Sequence, residues 1–513
     1  MTPGGGFTLI DLLVVVAYLV GTTLLGVWLG RDQKDAKDYF VAGSAIPWWA
    51  IMFSVVATET SALTFISIPA VAYGGNFTFL QVACGYLIGR IVVAYTLLPR
   101  YYEGELVTAY ALLERRFGMH TRRVASLIFM ATRTFGDSVR LFATSIPLAL
   151  ILAGVVSDAY VRPLSILILG VFTVVYTYHG GMRAVVWTDV LQTGVYLFGG
   201  FAALYLIGQG VDGGWGAIWD RAAAVDKTRL IDTSFKLDRN PNTLWAGLIG
   251  GAFLSMASHG ADQIIVQRLL ASKQLADARK ALITSGVVII FQFAMFLTIG
   301  VGLWAYYNGQ KFDVADSVFP KFIIEVMPPG MTGLVIAALL AAAMSTVSGA
   351  LNSLSAATTH DIYLPLKGRP QNDPSAFKAA RVFTLMWAAI LIGGALLYRQ
   401  QGTPVVVIAL AIASFTYGGL LGAFALALFW DRARQRDAIT GMLVGITVMT
   451  FVVFANNLKG RFPFLEPLAG IAWPWYVLIG TTITFAVGVL SSFIGARRDE
   501  RGAAGINAPP PVR

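Results

Sequence analysis

Residues 57–65 read "ATETSALTF" in the middle of a long apolar stretch. One carboxylate and four hydroxyls, on Thr58, Glu59, Thr60, Ser61 and Thr64, thus interrupt a segment otherwise fit to span a bilayer. An acidic side chain at a bilayer centre costs roughly 2.5–3.5 kcal/mol on insertion scales. Two local structures accommodate it. In a continuous helix the hydroxyls bond back to carbonyls of their own helix. In a helix broken at mid-span, freed carbonyls and hydroxyls line a polar site away from lipid. Pro69 and Gly74–Gly75 follow closely, and the broken helix is the expectation.

The surrounding chain fits that setting. Of 513 residues, 56% are hydrophobic and 13% charged, with mean hydropathy +0.68. Soluble domains carry about 25% charged residues, so this is an integral membrane protein. A lone cysteine, Cys84, excludes an internal disulfide and a thiolate metal cluster. The four histidines, His120, His179, His259 and His360, lack metal-ligand spacing. The net charge of +10 does not indicate nucleic-acid binding, because the basic residues sit between apolar segments.

A crossing takes about 20 apolar residues. Thirteen segments qualify, near 8–30, 47–73, 77–98, 124–155, 161–179, 184–208, 244–270, 281–307, 329–360, 380–398, 404–429, 438–456 and 473–495. The fold class expected is therefore all-α, with about 13 transmembrane helices. The first basic residue, Arg31, follows the first apolar run, which is expected to be an uncleaved helix with its N-terminus outside. That assignment puts 24 Lys/Arg in cytoplasmic segments and 11 outside, five of these in the long 209–243 loop. The asymmetry supports an outside N-terminus and a cytoplasmic C-terminus. The expected organisation is one transporter domain over 1–495 and a disordered Gly/Ala/Pro-rich cytoplasmic tail, 496–513.

Further polar residues lie within spans. Arg133, Asp137 and Arg140 share one helical face, and Arg140 lies roughly 24 Å along its segment at 1.5 Å per residue. Arg140 could clamp a substrate carboxylate or pair with Glu59, and both remain open. Arg90 is a further charge within a span. Asp189, in "AVVWTDVLQ", is either an internal charge or the cap of a helix N-terminus. Ser345, Thr346 and Ser348 lie in "AAAMSTVSGALNSLSAATTHDIY". Its small residues permit close helix packing, and its oxygen-only polar groups suit a hard monovalent cation. "SHGADQIIVQRLLASK" carries Asp262, Gln263, Gln267 and Arg268, and Gly250, Gly251 and Gly260 point to a second helix break.

Taken in order, "KDYFVAGSAIPWW", "WTDVLQ", "GADQIIVQR" and "MSTVSGALNSLSAATTHDIY" resemble the sodium:solute symporter family over nearly the whole chain. The resemblance implies a LeuT-type fold: a leading helix (8–30), two inverted five-helix repeats (47–208 and 244–429) and two trailing helices (438–495). It implies a sodium site formed by the carbonyls of Ala57, Thr60 and Ala342 and the hydroxyls of Ser345 and Thr346. Unwound backbone and adjacent hydroxyls are suitable ligands for a small hard cation. A second sodium site, present in some members, would draw on Asp189, Ser345 and Ser348. That site has a further hydroxyl where this chain has Gly349, which supplies no side-chain oxygen. The substrate region implied comprises Glu59, Ser61, Thr64, Gln81 and Arg140. The family's sugar transporters tend to carry an amide at the place of Glu59. An arginine near Arg140 is similar to the one by which sialic acid transporters hold a carboxylate.

The expected function is sodium-coupled symport of a small organic solute by alternating access, leaning to an organic anion or a zwitterion such as a carboxylate, amino acid or sialic acid. Alternatives are a proton-coupled or sugar-specific symporter of the same fold, or a membrane solute sensor. A channel would lack coupling between solute and sodium. No nucleophile–base pair or metal triad points to an enzyme. The partners expected are the solute, Na+ and the lipid bilayer of the cell inner (plasma) membrane, with no nucleic acid and the monomer as functional unit.

Overall fold

The computed structural model describes residues 7–503 except 32, 34, 104–105, 146–147, 150–151, 153–155, 236–240 and 399–404. The described residues form helices, with one isolated parallel bridge, Ile46 to Ser272, and no strand. Eight of the helices are long and apolar enough to cross a membrane, or nine with a bent pair counted as one span. The expected count of thirteen is not settled by that criterion. Interrupted helices and helices carrying several charges fall outside it.

Helix α1, Leu9–Leu29, opens on a capping box in which Thr8 and Asp11 satisfy each other's backbone N–H groups. The second oxygen of Asp11 accepts the N–H groups of Gly330 and Gly333, each at 2.7 Å. It thereby fixes the start of the later helix at Met331, where orphan donors and the helix dipole favour an anion.

The opening stretch folds as two helices, α2 (Trp48–Glu59) and α3 (Ala62–Gly74), bent by 62° across the interruption. Its hydroxyls explain where the break falls. Thr58 bonds back to the Ser54 carbonyl at 2.7 Å, and the Ser61 hydroxyl caps α3 by accepting the Thr64 N–H at 3.3 Å. The continuous-helix alternative is thereby excluded.

Helix α4 is Leu80–Tyr95 and α5 is Met119–Thr144. Helix α6, Asp158–Gly210, has 53 residues. At 1.5 Å per residue it would be about 80 Å long, against a hydrocarbon core of about 30 Å. It bends at Gly181, with φ 51° and ψ −149°, so it supplies the two spans expected near 161–179 and 184–208. Only glycine adopts that conformation readily, and a Cβ at this position would lie 2.5 Å from the Tyr39 carbonyl.

A second interruption is present as expected, although it falls at Asp262 rather than at the glycines. Helix α7, Gly251–Met256, is flanked by π-helical turns at Ala246–Gly250 and Ala257–Ala261. The chain then extends at Asp262 (φ −92°, ψ 128°), whose carboxylate caps α8, Gln263–Leu270. The Ile46 N–H bonds the Ala271 carbonyl, joining the entry of the first broken segment to the exit of the second.

Helix α9 is Leu275–Tyr306. Helix α10, Met331–Ala357, is the axis of the molecule: all but two of its residues are buried, packed against α1, α5 and α6. Its alanines, glycine and serines allow this close approach. Helix α11 (Ser375–Leu397), α12 (Val405–Phe429), α13 (Gln435–Val453) and α14 (Trp475–Ala503) complete the bundle. Helix α14 runs eight residues past the end expected at 495. The rest of the predicted tail, 504–513, lies outside the described residues.

Candidate functional site

The break between α2 and α3 exposes backbone oxygen. In a continuous helix the Ser61 N–H would bond the Ala57 carbonyl, but here it bonds Glu59 instead. Helix ends leave carbonyls unpaired in the last turn, and Ala57 lies in the last turn of α2. Thr60 is buried, and its hydroxyl accepts from the Gln292 side chain of α9 at 2.7 Å.

On α10, the Thr346 hydroxyl lies 3.1 Å from the Ala342 carbonyl, so two of the expected sodium ligands stand side by side. The Ser345 hydroxyl bonds Asp189 Oδ1 at 2.6 Å, and the Ser54 hydroxyl of α2 bonds Asp189 Oδ2 at 2.5 Å. Asp189 therefore joins α2 to α10 through α6. It lies eight residues beyond the Gly181 bend, fully buried, so it does not act as a helix cap. Ser348 donates to the Ser345 carbonyl of its own helix at 3.0 Å.

Arg268, on α8, completes this cluster. Its Nη2 is 3.3 Å from Asp189 Oδ2, and its Nε donates to the Ser54 hydroxyl at 2.9 Å. Neighbouring Gln267 donates to the Phe40 carbonyl at 2.8 Å. Gln263 accepts the Ala109 N–H at 2.6 Å and donates to the Val107 carbonyl at 3.1 Å. The polar face of α8 thus holds the short helix to the elements around it.

Glu59 ends α2, where the helix dipole disfavours an anion. Arg90 of α4 compensates it with a direct ion pair and also donates to the Ser285 hydroxyl of α9 at 3.0 Å. His259 Nε2, from the second interrupted segment, is 3.8 Å from Glu59. The suggested Glu59–Arg140 pair does not form. Arg140 lies instead 3.4 Å from Asp137 and is a quarter exposed. Helix α5 begins at Met119, five residues earlier than expected, so Arg140 lies roughly 32 Å along it.

The face shared by Arg133, Asp137 and Arg140 is real. Arg133 Nη1 is 3.6 Å from Asp137, while its Nη2 pairs with Asp262 at the second break and donates to the Tyr417 hydroxyl at 2.9 Å. The two breaks are therefore each joined to a neighbouring arginine, Arg90 at Glu59 and Arg133 at Asp262.

Ser61 and Thr64 adjoin one another at the start of α3, with their hydroxyls 3.2 Å apart. Gln81 is engaged elsewhere. Its amide donates to the carbonyls of Thr78 and Asn242, at 3.0 and 2.9 Å, and accepts the Asp232 N–H at 3.3 Å. It fastens the 209–243 loop to the start of α4. Sequence reasoning left Arg90, Arg268, Ser54 and Gln292 without individual roles. Arg90 and Arg268 carried a signal, as charges within or at the end of an apolar segment.

Comparison with known proteins agrees with this architecture. The family model described as the sodium:solute symporter family matches residues 39–445. A sodium/sialic acid symporter of Aliivibrio fischeri is 30% identical, over 95% of this chain and 93% of its own. A sodium/glucose cotransporter of Vibrio parahaemolyticus is 28% identical, over 95% and 92%. A solved structure of a Na+-coupled sialic acid symporter, substrate-bound and outward-open, superposes with TM-score 0.82 at 28% identity, covering 95% of this chain and 98% of that one. The family match, the relatives that align nearly end to end and the doubly interrupted helical bundle lead to one conclusion: this chain belongs to the sodium:solute symporter family, a transporter that uses Na+ as its coupling ion and not an enzyme.

Proposed function

We propose that the solute is a small organic anion or zwitterion, with the anion favoured. The observation that supports this is the local charge balance. Glu59 is neutralised by Arg90, so it offers little to a substrate amine. Among the described residues Arg140 is held only by Asp137, at 3.4 Å, and it is a quarter exposed, so its guanidinium retains donors for a carboxylate. Sialic acid is such an anion, and two relatives at 30% identity are sodium/sialic acid symporters. Ser61 and Thr64, on the neighbouring α3, are the hydroxyls assigned to the rest of the solute. Gln81 acts in this scheme through the outer loop it secures.

Sodium is assigned to the carbonyls of Ala57, Thr60 and Ala342 and the hydroxyls of Ser345 and Thr346. By joining α2 to α10 it orders the break where α3 begins. Solute binding closes the outer side, and sodium leaves to the cytoplasm. Each charge moved inward gains about 2.3 kcal/mol per 100 mV. The N-terminus lies outside and the C-terminus in the cytoplasm of the cell inner (plasma) membrane, the monomer being the functional unit.

The test is thermal stabilisation of the purified protein by carboxylates, sialic acids, amino acids and neutral sugars, with and without sodium. The expected result is stabilisation by carboxylate-bearing solutes only when sodium is present. A ligand at 100 times its Kd contributes about 2.7 kcal/mol. Ser345→Ala is expected to abolish the sodium-dependent stabilisation, and Arg140→Gln the stabilisation by the solute. Stabilisation by neutral sugars that survives Arg140→Gln would overturn the anion assignment. Stabilisation that depends on low pH, and is lost in Glu59→Gln, would transfer the coupling to protons.

A further inference from the structure

Asp189, Ser54 and Ser345 bring a carboxylate and two hydroxyls together in a fully buried place between three helices. Such oxygen groups suit a hard cation, and the family resemblance places the second sodium site of some members here. The residues present do not fit one. The Arg268 guanidinium stands against the same carboxylate oxygen, at 3.3 Å, and takes the Ser54 hydroxyl as well. Its Nη1 is anchored by the Ile264 carbonyl at 2.9 Å, and the whole side chain is buried.

Gly349 makes room for it. A Cβ at this position would lie 2.7 Å from Arg268 Nη2 and 3.2 Å from Nη1. Any side chain bearing a hydroxyl would displace the guanidinium. One substitution, glycine for a hydroxyl residue, thus removes an ion ligand and opens the space a guanidinium fills. Two positive charges so close, away from water, would repel strongly.

We propose that Arg268 is a tethered cation in place of a second sodium at Asp189, so that this symporter binds a single sodium ion per chain. This rests on the assignment of the first sodium to Ala57, Thr60, Ala342, Ser345 and Thr346, and deepens it. The compensating charge of Asp189 is then covalently attached to α8. It stays with the protein through the cycle, where a bound ion would leave.

Equilibrium binding of radioactive sodium alone to the purified full-length protein tests this, with no solute required. The wild type is expected to bind one ion per chain with a Hill coefficient of one. The pair Arg268→Gln, Gly349→Ser, eluting as a monodisperse peak, is expected to bind one ion more than the wild type. Arg268→Lys, which keeps the charge, is expected to gain none. Two ions per wild-type chain would overturn the proposal, as would an unchanged count in the folded double variant. No binding to the wild type but one ion in the double variant would uphold Arg268 and sink the first-site assignment. If the double variant does not fold, the wild-type count decides alone.

Discussion

At the scale of single residues, the membrane interior makes pairing the decisive property. Glu59 sits at the end of α2, where the dipole opposes it, and is retained because Arg90 meets it there. Removing one partner of a buried pair leaves an uncompensated charge, at a cost of about 3–5 kcal/mol. Arg90→Ala is therefore expected to lower the melting temperature sharply, and adding Glu59→Gln to recover part of that loss. Strictly additive losses in this double-mutant cycle would show that the two charges are not coupled. The pairing was not legible in the sequence. Glu59 and Arg90 stand 31 positions apart on different helices, and Arg140 was an equally good partner by charge. What the sequence did show was that each charge needs a partner, because lipid supplies none. The same holds for Asp189. Its Ser345 contact joins two sequence-selected residues, whereas Ser54 had only a hydroxyl to mark it.

Interruptions organise the next level, and two residues far from the breaks fix the ends of helices that build the site. The break at Thr60 was legible because hydroxyls that favour caps lie within a span. The break at Asp262 was legible only as a cluster of glycines, since π-helical turns leave no period in a sequence. Asp11 holds the start of α10 through two N–H groups. Asp11→Ala strips the buried Gly333 N–H and the partly buried Gly330 N–H of their partner, at about 1–3 kcal/mol for a buried donor. It is expected to lower thermal stability and to weaken sodium binding at Ser345 and Thr346. Equal sodium affinity in the variant and the wild type would show that the start of α10 does not position those hydroxyls. Lys227, in the long 209–243 loop, donates to the carbonyls of Tyr73 and Gly75 at 2.6 and 3.1 Å. It caps the end of α3 where the dipole favours a cation. Lys227→Met should therefore cost about 1 kcal/mol, read from thermal melting, without altering sodium affinity.

Across the whole molecule, the fold class and the two breaks follow from hydropathy and polar interruption. Which arginine meets which carboxylate depends on how helices distant in sequence pack. Orientation belongs to this scale too, because the excess of Lys/Arg in alternate connections acts on the chain as it inserts. It is tested by labelling with a membrane-impermeant maleimide. Cys84 is the only cysteine and half-buried, so Cys84→Ser gives a silent background. In that background Gly216→Cys, in the 209–243 loop, is expected to label in intact cells. Asn372→Cys, in the connection before α11, is expected to label only after permeabilisation. The reverse pattern would invert the assignment, and with it which face of the protein meets the high-sodium side in the proposed cycle. Outward-side labelling at both positions would instead remove an odd number of crossings between α6 and α11. The interrupted segment from Ala246 to Leu270 would be the first to reconsider, since neither of its halves is long enough to cross alone.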